Sequence, residues 1–258
     1  EATTYLGDSV VGLGDLDGDG CDEAAVGAPL EDQGFSNQGV VRVIWGAGGP
    51  GCPANYRVTT LAPGLTSMQA GESLAAGGDV DGDGIPDLVV GGDGTIEDGD
   101  NLGTVWVVSG SYLLASAKVT ANPGPMPVVA ATPLTPISGG HYGLNGPSPT
   151  IDFAEAVTLV PDPGSPGTHS IAVGAPDSDI GGAFHAGGVL MYRWTDDPLG
   201  TGFPGIDPVP YALVSGETNI PNGRLGETLF LSGDELLVGA PWSSQAAMQA
   251  GGVYVFGF

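Results

Sequence analysis

The sequence predicts an all-β chain of four repeated antiparallel units, and three observations carry that prediction. The 258 residues include 47 Gly and 22 Pro, a composition suited to many short strands and tight turns rather than to helices. Four apolar runs, Ala24-Ala25-Val26, Leu88-Val89-Val90, Ile171-Ala172-Val173 and Leu236-Leu237-Val238, each end on a turn marker: Gly27-Ala28-Pro29, Gly91-Gly92-Asp93, Gly174-Ala175-Pro176 and Gly239-Ala240-Pro241. After a polar loop, each marker is followed by a second run that opens with Gly and alternates with the two-residue period of a strand. These runs are Gly39-Val40-Val41-Arg42-Val43, Gly103-Thr104-Val105-Trp106-Val107, Gly188-Val189-Leu190-Met191-Tyr192 and Gly252-Val253-Tyr254-Val255-Phe256.

An earlier strand in each unit starts near Gly7-Asp8-Ser9-Val10, Gly71-Glu72-Ser73-Leu74, Ala154-Glu155-Ala156-Val157 and Gly226-Glu227-Thr228-Leu229. Looser last strands are expected at 56–61, 127–131 and 211–214. Four antiparallel strands in a repeat of about 60–80 residues make a propeller blade. The expected blades span about 5–62, 70–132, 150–215 and 223–258 of a single domain over 1–258. The fourth blade lacks an outer strand, which residues 1–5 could supply, closing the ring and removing a bare sheet edge. A four-blade ring is the first expectation, and a share in a larger ring the second.

Between the first two strands of units one and two lie near-identical acidic turns. One reads Asp15-Leu16-Asp17-Gly18-Asp19-Gly20-Cys21-Asp22-Glu23, the other Asp79-Val80-Asp81-Gly82-Asp83-Gly84-Ile85-Pro86-Asp87. Carboxylates at positions one, three and five of a glycine-rich turn converge without large repulsion only around a hard cation, and oxygen ligands on a flexible loop favour calcium. An EF-hand would need Glu at position twelve and flanking helices. That position holds Val26 or Val90, and the closing carboxylates, Glu23 and Asp87, come at position nine directly before a strand. Units three and four have only a Pro-Gly turn at 161–167 and the short Ser232-Gly233-Asp234-Glu235, so two calcium sites are expected.

Together, Gly-x-Ser on the first strand, the Asp-x-Asp-x-Asp-Gly-x-x-Asp loop and Leu-Val-Val-Gly on the second strand resemble the FG-GAP repeat of the integrin alpha-chain β-propeller. The resemblance covers nearly the whole chain and is strongest in the first two units. It implies a β-propeller of FG-GAP-like blades, each a four-stranded antiparallel sheet, with no catalysis. The ligands it implies are Asp15, Asp17, Asp19, Glu23 and the Cys21 carbonyl at one site, and Asp79, Asp81, Asp83, Asp87 and the Ile85 carbonyl at the other. Glu23 departs from the family's usual Asp, and four blades depart from its usual seven.

Charge narrows the partners. Against 30 Asp and Glu stand 5 Lys and Arg, for a net charge of −25, which argues against nucleic acid and anionic membrane surfaces. No apolar run is long enough to span a bilayer. Loops of this kind suit millimolar extracellular calcium, so a secreted or cell-surface chain is expected. Cys21 and Cys52 are the two cysteines. A disulfide between them would contribute roughly 3–4 kcal/mol on the chain-entropy model, the alternative being two free buried thiols.

Other candidates read as structural. Gly7-Asp8-Ser9-Val10 resembles the nucleophile motif of GDS-type lipases, but its place is filled by Gly71-Glu72-Ser73-Leu74 and Gly226-Glu227-Thr228-Leu229 in other units, and no Gly-x-Ser-x-Gly elbow is present. His141, His169 and His185 sit in Gly- or Pro-rich connections away from ligand spacing. Trp106, Tyr192, Tyr254 and Phe256 fall on equivalent strands and are expected between blades, leaving Trp45, Trp194 and Trp242 as candidates for ligand contact. The loops at 30–38, 93–102, 177–186 and 242–250 are expected on one face. Their acids, Glu31, Asp32, Glu97, Asp98, Asp100, Asp177 and Asp179, read as solvated surface that would attract only a cationic ligand. The expected function is a calcium-binding adhesion or assembly module with a protein or glycan ligand, self-association also being open. Its rival is a carbohydrate- or substrate-binding accessory propeller of a larger extracellular hydrolase.

Overall fold

The computed structural model describes residues 4–46, 56–94, 103–117, 137–138, 152–179, 183–196, 205–207, 210–215, 221–244 and 250–258. The first sheet runs β1 (Val10–Gly14), β2 (Glu23–Ala28), β3 (Val40–Trp45) and β4 (Arg57–Leu61), paired antiparallel in chain order. The second repeats it with β5 (Ser73–Gly78), β6 (Asp87–Gly92), β7 (Thr104–Val108) and β8 (Ile137–Ser138). In the third, β9 (Val157–Pro161), β10 (His169–Ala175) and β11 (Gly188–Tyr192) are joined by β14 (Ala212–Ser215), after a side hairpin of β12 (Trp194–Thr195) and β13 (Gly205–Ile206). The fourth holds β15 (Thr228–Ser232), β16 (Glu235–Ala240) and β17 (Gly252–Gly257). The sheets are antiparallel throughout, as the two-residue periodicity predicts, and follow one another as propeller-type units.

Three apolar clusters, each shared by two successive sheets, hold the units together. Val41 and Val43 of the first sheet meet Leu88 and Trp106 of the second. Val89 and Val107 meet Ile171 and Tyr192 of the third, and Ala172 and Met191 meet Leu236 and Val238 of the fourth. Burial of a large apolar side chain contributes about 1.5–3 kcal/mol, so these shared clusters dominate over any loop contact. Trp106, Tyr192, Tyr254 and Phe256 all belong to them or pack against them.

The repeated glycine marker is explained by close approach of backbones. A Cβ on Gly27 would stand 2.0 Å from the Gly71 carbonyl oxygen, and one on Gly174 would stand 2.1 Å from that of Gly226. At the same place the Ser9 hydroxyl donates to the Gly71 carbonyl (2.5 Å) and the Ser73 hydroxyl to that of Ala154 (2.7 Å). The serine of the Gly-x-Ser motif is therefore an inter-sheet clamp.

Three features depart from the sequence reading. Gly110–Ala117 forms a helix, α1, in a stretch to which the sequence reading assigns no element. It follows Ser109, whose carbonyl accepts the Leu113 N–H at 3.0 Å, and it buries Leu113 in the cluster between sheets one and two. Leu-Leu-Ala-Ser-Ala lacks β-branching, so the local propensity is helical.

Trp45, proposed as a ligand contact, is fully buried and donates its indole N–H to the Thr59 hydroxyl at 2.9 Å. Trp194 is partly buried against the second–third cluster, and Trp242 is 47% exposed.

The ring is not closed among the described residues. First strands of neighbouring units touch, β1 with β5, β5 with β9 and β9 with β15, without comparable packing of β15 back on β1. Of the residues expected to close it, 1–3 lie outside the described set. Tyr5 sits at φ 53° in a turn whose carbonyl accepts the Asp8 N–H, and β17 pairs with β16 alone.

Candidate metal-binding loops

Both acidic turns are launched by the same device. The β1–β2 register shifts between Gly12 and Gly14, and the β5–β6 register between Ala76 and Gly78, a bulge that swings the strand into the loop. Gly18 and Gly20, like Gly82 and Gly84, take φ of 75°, 92°, 79° and 87°, a left-handed region that glycine enters without strain.

Within each turn the carboxylates fold the backbone around themselves. Asp15 accepts the Gly20 N–H (3.1 Å), Asp17 that of Asp19 (3.2 Å) and Asp19 that of Cys21 (2.9 Å). In the second turn Asp79 accepts from Gly84 (2.9 Å) and Gly82 (2.7 Å), Asp81 from Asp83 (3.1 Å) and Asp83 from Ile85 (2.8 Å). Asp15, Asp17 and Asp19 each bring one oxygen within 4.8 Å of the others, and so do Asp79, Asp81 and Asp87. Hard oxygen donors at such separations could hold a divalent cation.

The ninth-position acids differ. Asp87 is fully buried, accepting from Val80 (2.7 Å) and Asp81 (3.2 Å) on one oxygen and from Gly110 of α1 (2.8 Å) on the other. Burial nonetheless raises its pKa to about 6, the backbone donors offsetting part of the cost. Glu23, 1% exposed, spends its oxygens on the N–H groups of Leu16 (2.7 Å) and Gly46 (3.1 Å) and stands outside the Asp15–Asp17–Asp19 set. Its pKa is likewise raised by burial. Asp83 stands outside the second set, with the Ser109 hydroxyl 3.4 Å from one oxygen. Arg57 reaches Asp17 at 3.1 Å, a competitor for any cation there.

Residues 7–44 and 70–108 match the family described as the FG-GAP repeat. Two segments of this chain, one in each of the first two units, are therefore similar to FG-GAP repeats. Each matched segment contains one acidic loop with the strands on either side of it. Similar curated proteins include integrin alpha-M of Mus musculus, 36% identical over 93 residues, which are 34% of this chain and 8% of that protein. Integrin alpha-E of Homo sapiens is 34% identical over 92 residues, 33% of this chain and 8% of its own length. The chain thus spans less than a tenth of these integrin alpha relatives.

In the units without a match, other chemistry closes the turn. Asp162 accepts the Gly164 N–H at 2.7 Å and donates its own N–H to Thr168. Ser232 pairs with Glu235 around a two-residue turn in which Gly233 has φ 62°.

The remaining described loop acids bond within the fold, Asp32 while staying exposed as expected of solvated surface. Glu31 holds Arg42 with two bonds of 2.6 and 2.7 Å, Asp32 accepts the Asn37 N–H, and Asp179 accepts the His185 N–H. Arg224 joins Asp152 (3.1 Å), Asp177 (3.0 Å) and Glu227 (3.0 Å), with His185 3.4 Å from Asp177. The cation expected of an outside ligand is, at Asp177, supplied by the chain. Glu97, Asp98, Asp100, His141 and Cys52 lie outside the described residues.

His169 is a strand residue rather than a loop histidine: it opens β10 and bonds Asp79 of the second acidic loop. Sequence spacing holds no signal for that pairing across 90 positions.

Proposed function

We propose that this chain is an extracellular, calcium-stabilised adhesion or assembly module that performs no catalysis. The observation that carries the reading is the pair of equivalent acidic loops, each with three carboxylate oxygens drawn within 4.8 Å. One calcium ion would be held by Asp15, Asp17, Asp19, Glu23 and the Cys21 carbonyl. A second would be held by Asp79, Asp81, Asp83, Asp87 and the Ile85 carbonyl. The bound ion supplies positive charge that fixes each turn, and the protein's residues hold the neighbouring strands to it. The FG-GAP match and the similarity to integrin alpha chains support an extracellular interaction role, and among the described residues no helix is long and apolar enough to cross a membrane.

The domain proposed is one propeller over 1–258. Its partner would be a protein surface reached by the loops that follow the glycine markers, and Trp242, 47% exposed at one of these, gives a glycan its best platform. A Cys21–Cys52 bond is part of the proposal. It is supported by the absence of free cysteines among the described residues and by Gly46, six positions before Cys52 in the sequence, whose added Cβ would lie 2.5 Å from that of Cys21.

Thermal unfolding with calcium and with chelator tests the metal reading. Each site should add about 2.7 kcal/mol at a hundredfold excess over Kd. An unfolding temperature indifferent to calcium would remove it.

A further inference from the structure

The two ends of the row of sheets each present a face that, inside the row, is always covered by a neighbour. On the first sheet Val11, Ala25, Val41 and Val43 share one face through the pairs Val11↔Ala25, Ala25↔Val43 and Gly27↔Val41, and they pack on the second sheet. In the third, Ala172 and Met191 are paired at the same register, and they pack on the fourth. The fourth sheet repeats the register with Phe230↔Leu237, Leu237↔Val255 and Gly239↔Val253. There the face is bare: Phe230 is 65%, Val253 68% and Val255 56% exposed.

At the other end, the pairs Val10↔Val26, Val26↔Arg42 and Ala24↔Ile44 occupy the register of Val90↔Trp106 and Leu88↔Val108, which pack backward on the first sheet. Here too the apolar side chains lie partly or largely open, with Val10 65% exposed. Arg42, the one charge among them, arrives already neutralised by its two bonds to Glu31.

From this we infer that a second copy of the chain covers the bare face: the Val10–Ile44 face of one copy seats on the Phe230–Val253–Val255 face of another, head to tail. The contact continues the series of three sheet-to-sheet interfaces already formed within the molecule, at the same register and with the same kind of side chain. Both halves of that interface are present on every copy, and two copies joined at both ends would complete a ring. The inference rests on the propeller-type reading of the sheets but not on the metal reading. Because each copy carries a net charge of −25, mutual repulsion opposes assembly, and salt that screens it should strengthen the contact.

The test is solution mass by analytical ultracentrifugation from about 1 to 200 µM in calcium at two salt concentrations, a range that brackets the micromolar affinities of standard interfaces. The probe proteins are wild type, Val10→Glu and Val255→Glu. Both substitutions are on exposed side chains, and circular dichroism with calcium calorimetry on the same samples reports the fold and the metal loops separately. Wild type should dimerise. Each variant alone should associate at least tenfold more weakly, and an equimolar mixture should recover a one-to-one complex, since it restores one intact pair of faces. Wild type that stays monomeric across the range overturns the inference and favours closure within one chain. Self-association that survives in either variant overturns it too, as does a mixture that fails to combine.

Discussion

His169 and Asp79 hold each other by two hydrogen bonds: the His169 N–H donates to the Asp79 carbonyl at 2.7 Å, and the Asp79 N–H donates to the side-chain Nδ1 of His169 at 3.2 Å. The first carboxylate of the second acidic loop is thereby fixed to the first residue of β10 in the next sheet. Gly78 makes the approach possible, since a Cβ there would lie 2.6 Å from the imidazole ring. His169→Ala leaves the Asp79 N–H without its acceptor and should cost about 1–2 kcal/mol. It should weaken divalent-ion binding at the second loop and leave the first unchanged. Isothermal titration that finds both loops equally affected would separate His169 from the second loop.

The glycine markers predict a sharp steric effect. Gly27→Ala drives a methyl to within 2.0 Å of the Gly71 carbonyl oxygen, with the Ser9 hydroxyl 2.4 Å away. Two sheets must part or shift, at a cost of about 2 kcal/mol or more. Gly12→Ala, which meets nothing within 4 Å, is the control. Chemical denaturation of the two variants should rank them clearly.

Strands and acidic loops were legible because their information is local. Alternation such as that of 252–256 reports a pleated face, and acids two residues apart report a turn that needs a cation. What escaped depends on partners far along the chain. Nothing near Arg224 announces Asp152 and Asp177, and nothing near Glu23 announces that its oxygens accept from the N–H groups of Leu16 and Gly46. The helix at Gly110–Ala117 had a local signal in Leu113, Leu114 and Ala115, overruled by an expectation of strands everywhere. Ring closure escaped for a different reason: a count of strands does not fix the angle between one sheet and the next.

Carboxylates just before successive first strands, Glu72 ahead of β5 and Glu155 ahead of β9, set a pH dependence. Burial first, then Asp93, Asp8 and Glu155, raise the pKa of Glu72 to about 7. Burial first, then Asp93, Glu227 and Asp152, raise that of Glu155 to about 7, with Arg224 opposing. Each acid is more basic folded than unfolded, so the folded state holds more protons between pH about 4.5 and 7. Stability from these groups is fully present below that window and is lost as pH rises through 7. Unfolding temperature should therefore rise from pH 8 to pH 6 in calcium, and Glu72→Gln should flatten the rise. An unfolding temperature that falls over this interval in wild type would contradict the arrangement.

Asp81 and Asp87 belong to the same set of three carboxylates but are embedded differently, and their substitutions should come apart. Asp81 is part-exposed and accepts one loop N–H, that of Asp83. Asp87 is fully buried and accepts three, linking the loop to itself and to the start of α1. Asp81→Ala should thus change stability in chelator by no more than about 0.5 kcal/mol, since a part-exposed donor can turn to water. Asp87→Ala strands the N–H groups of Val80, Asp81 and Gly110 and should cost about 2–4 kcal/mol in chelator, each buried orphan carrying its own desolvation penalty. Adding calcium should then stabilise wild type at two loops and either variant at one. Denaturant titrations in both media give the four comparisons. If Asp81→Ala proved as costly as Asp87→Ala in chelator, the second loop would draw its order from all of its carboxylates alike, and the division between a buried backbone anchor and an exposed ligand would be wrong.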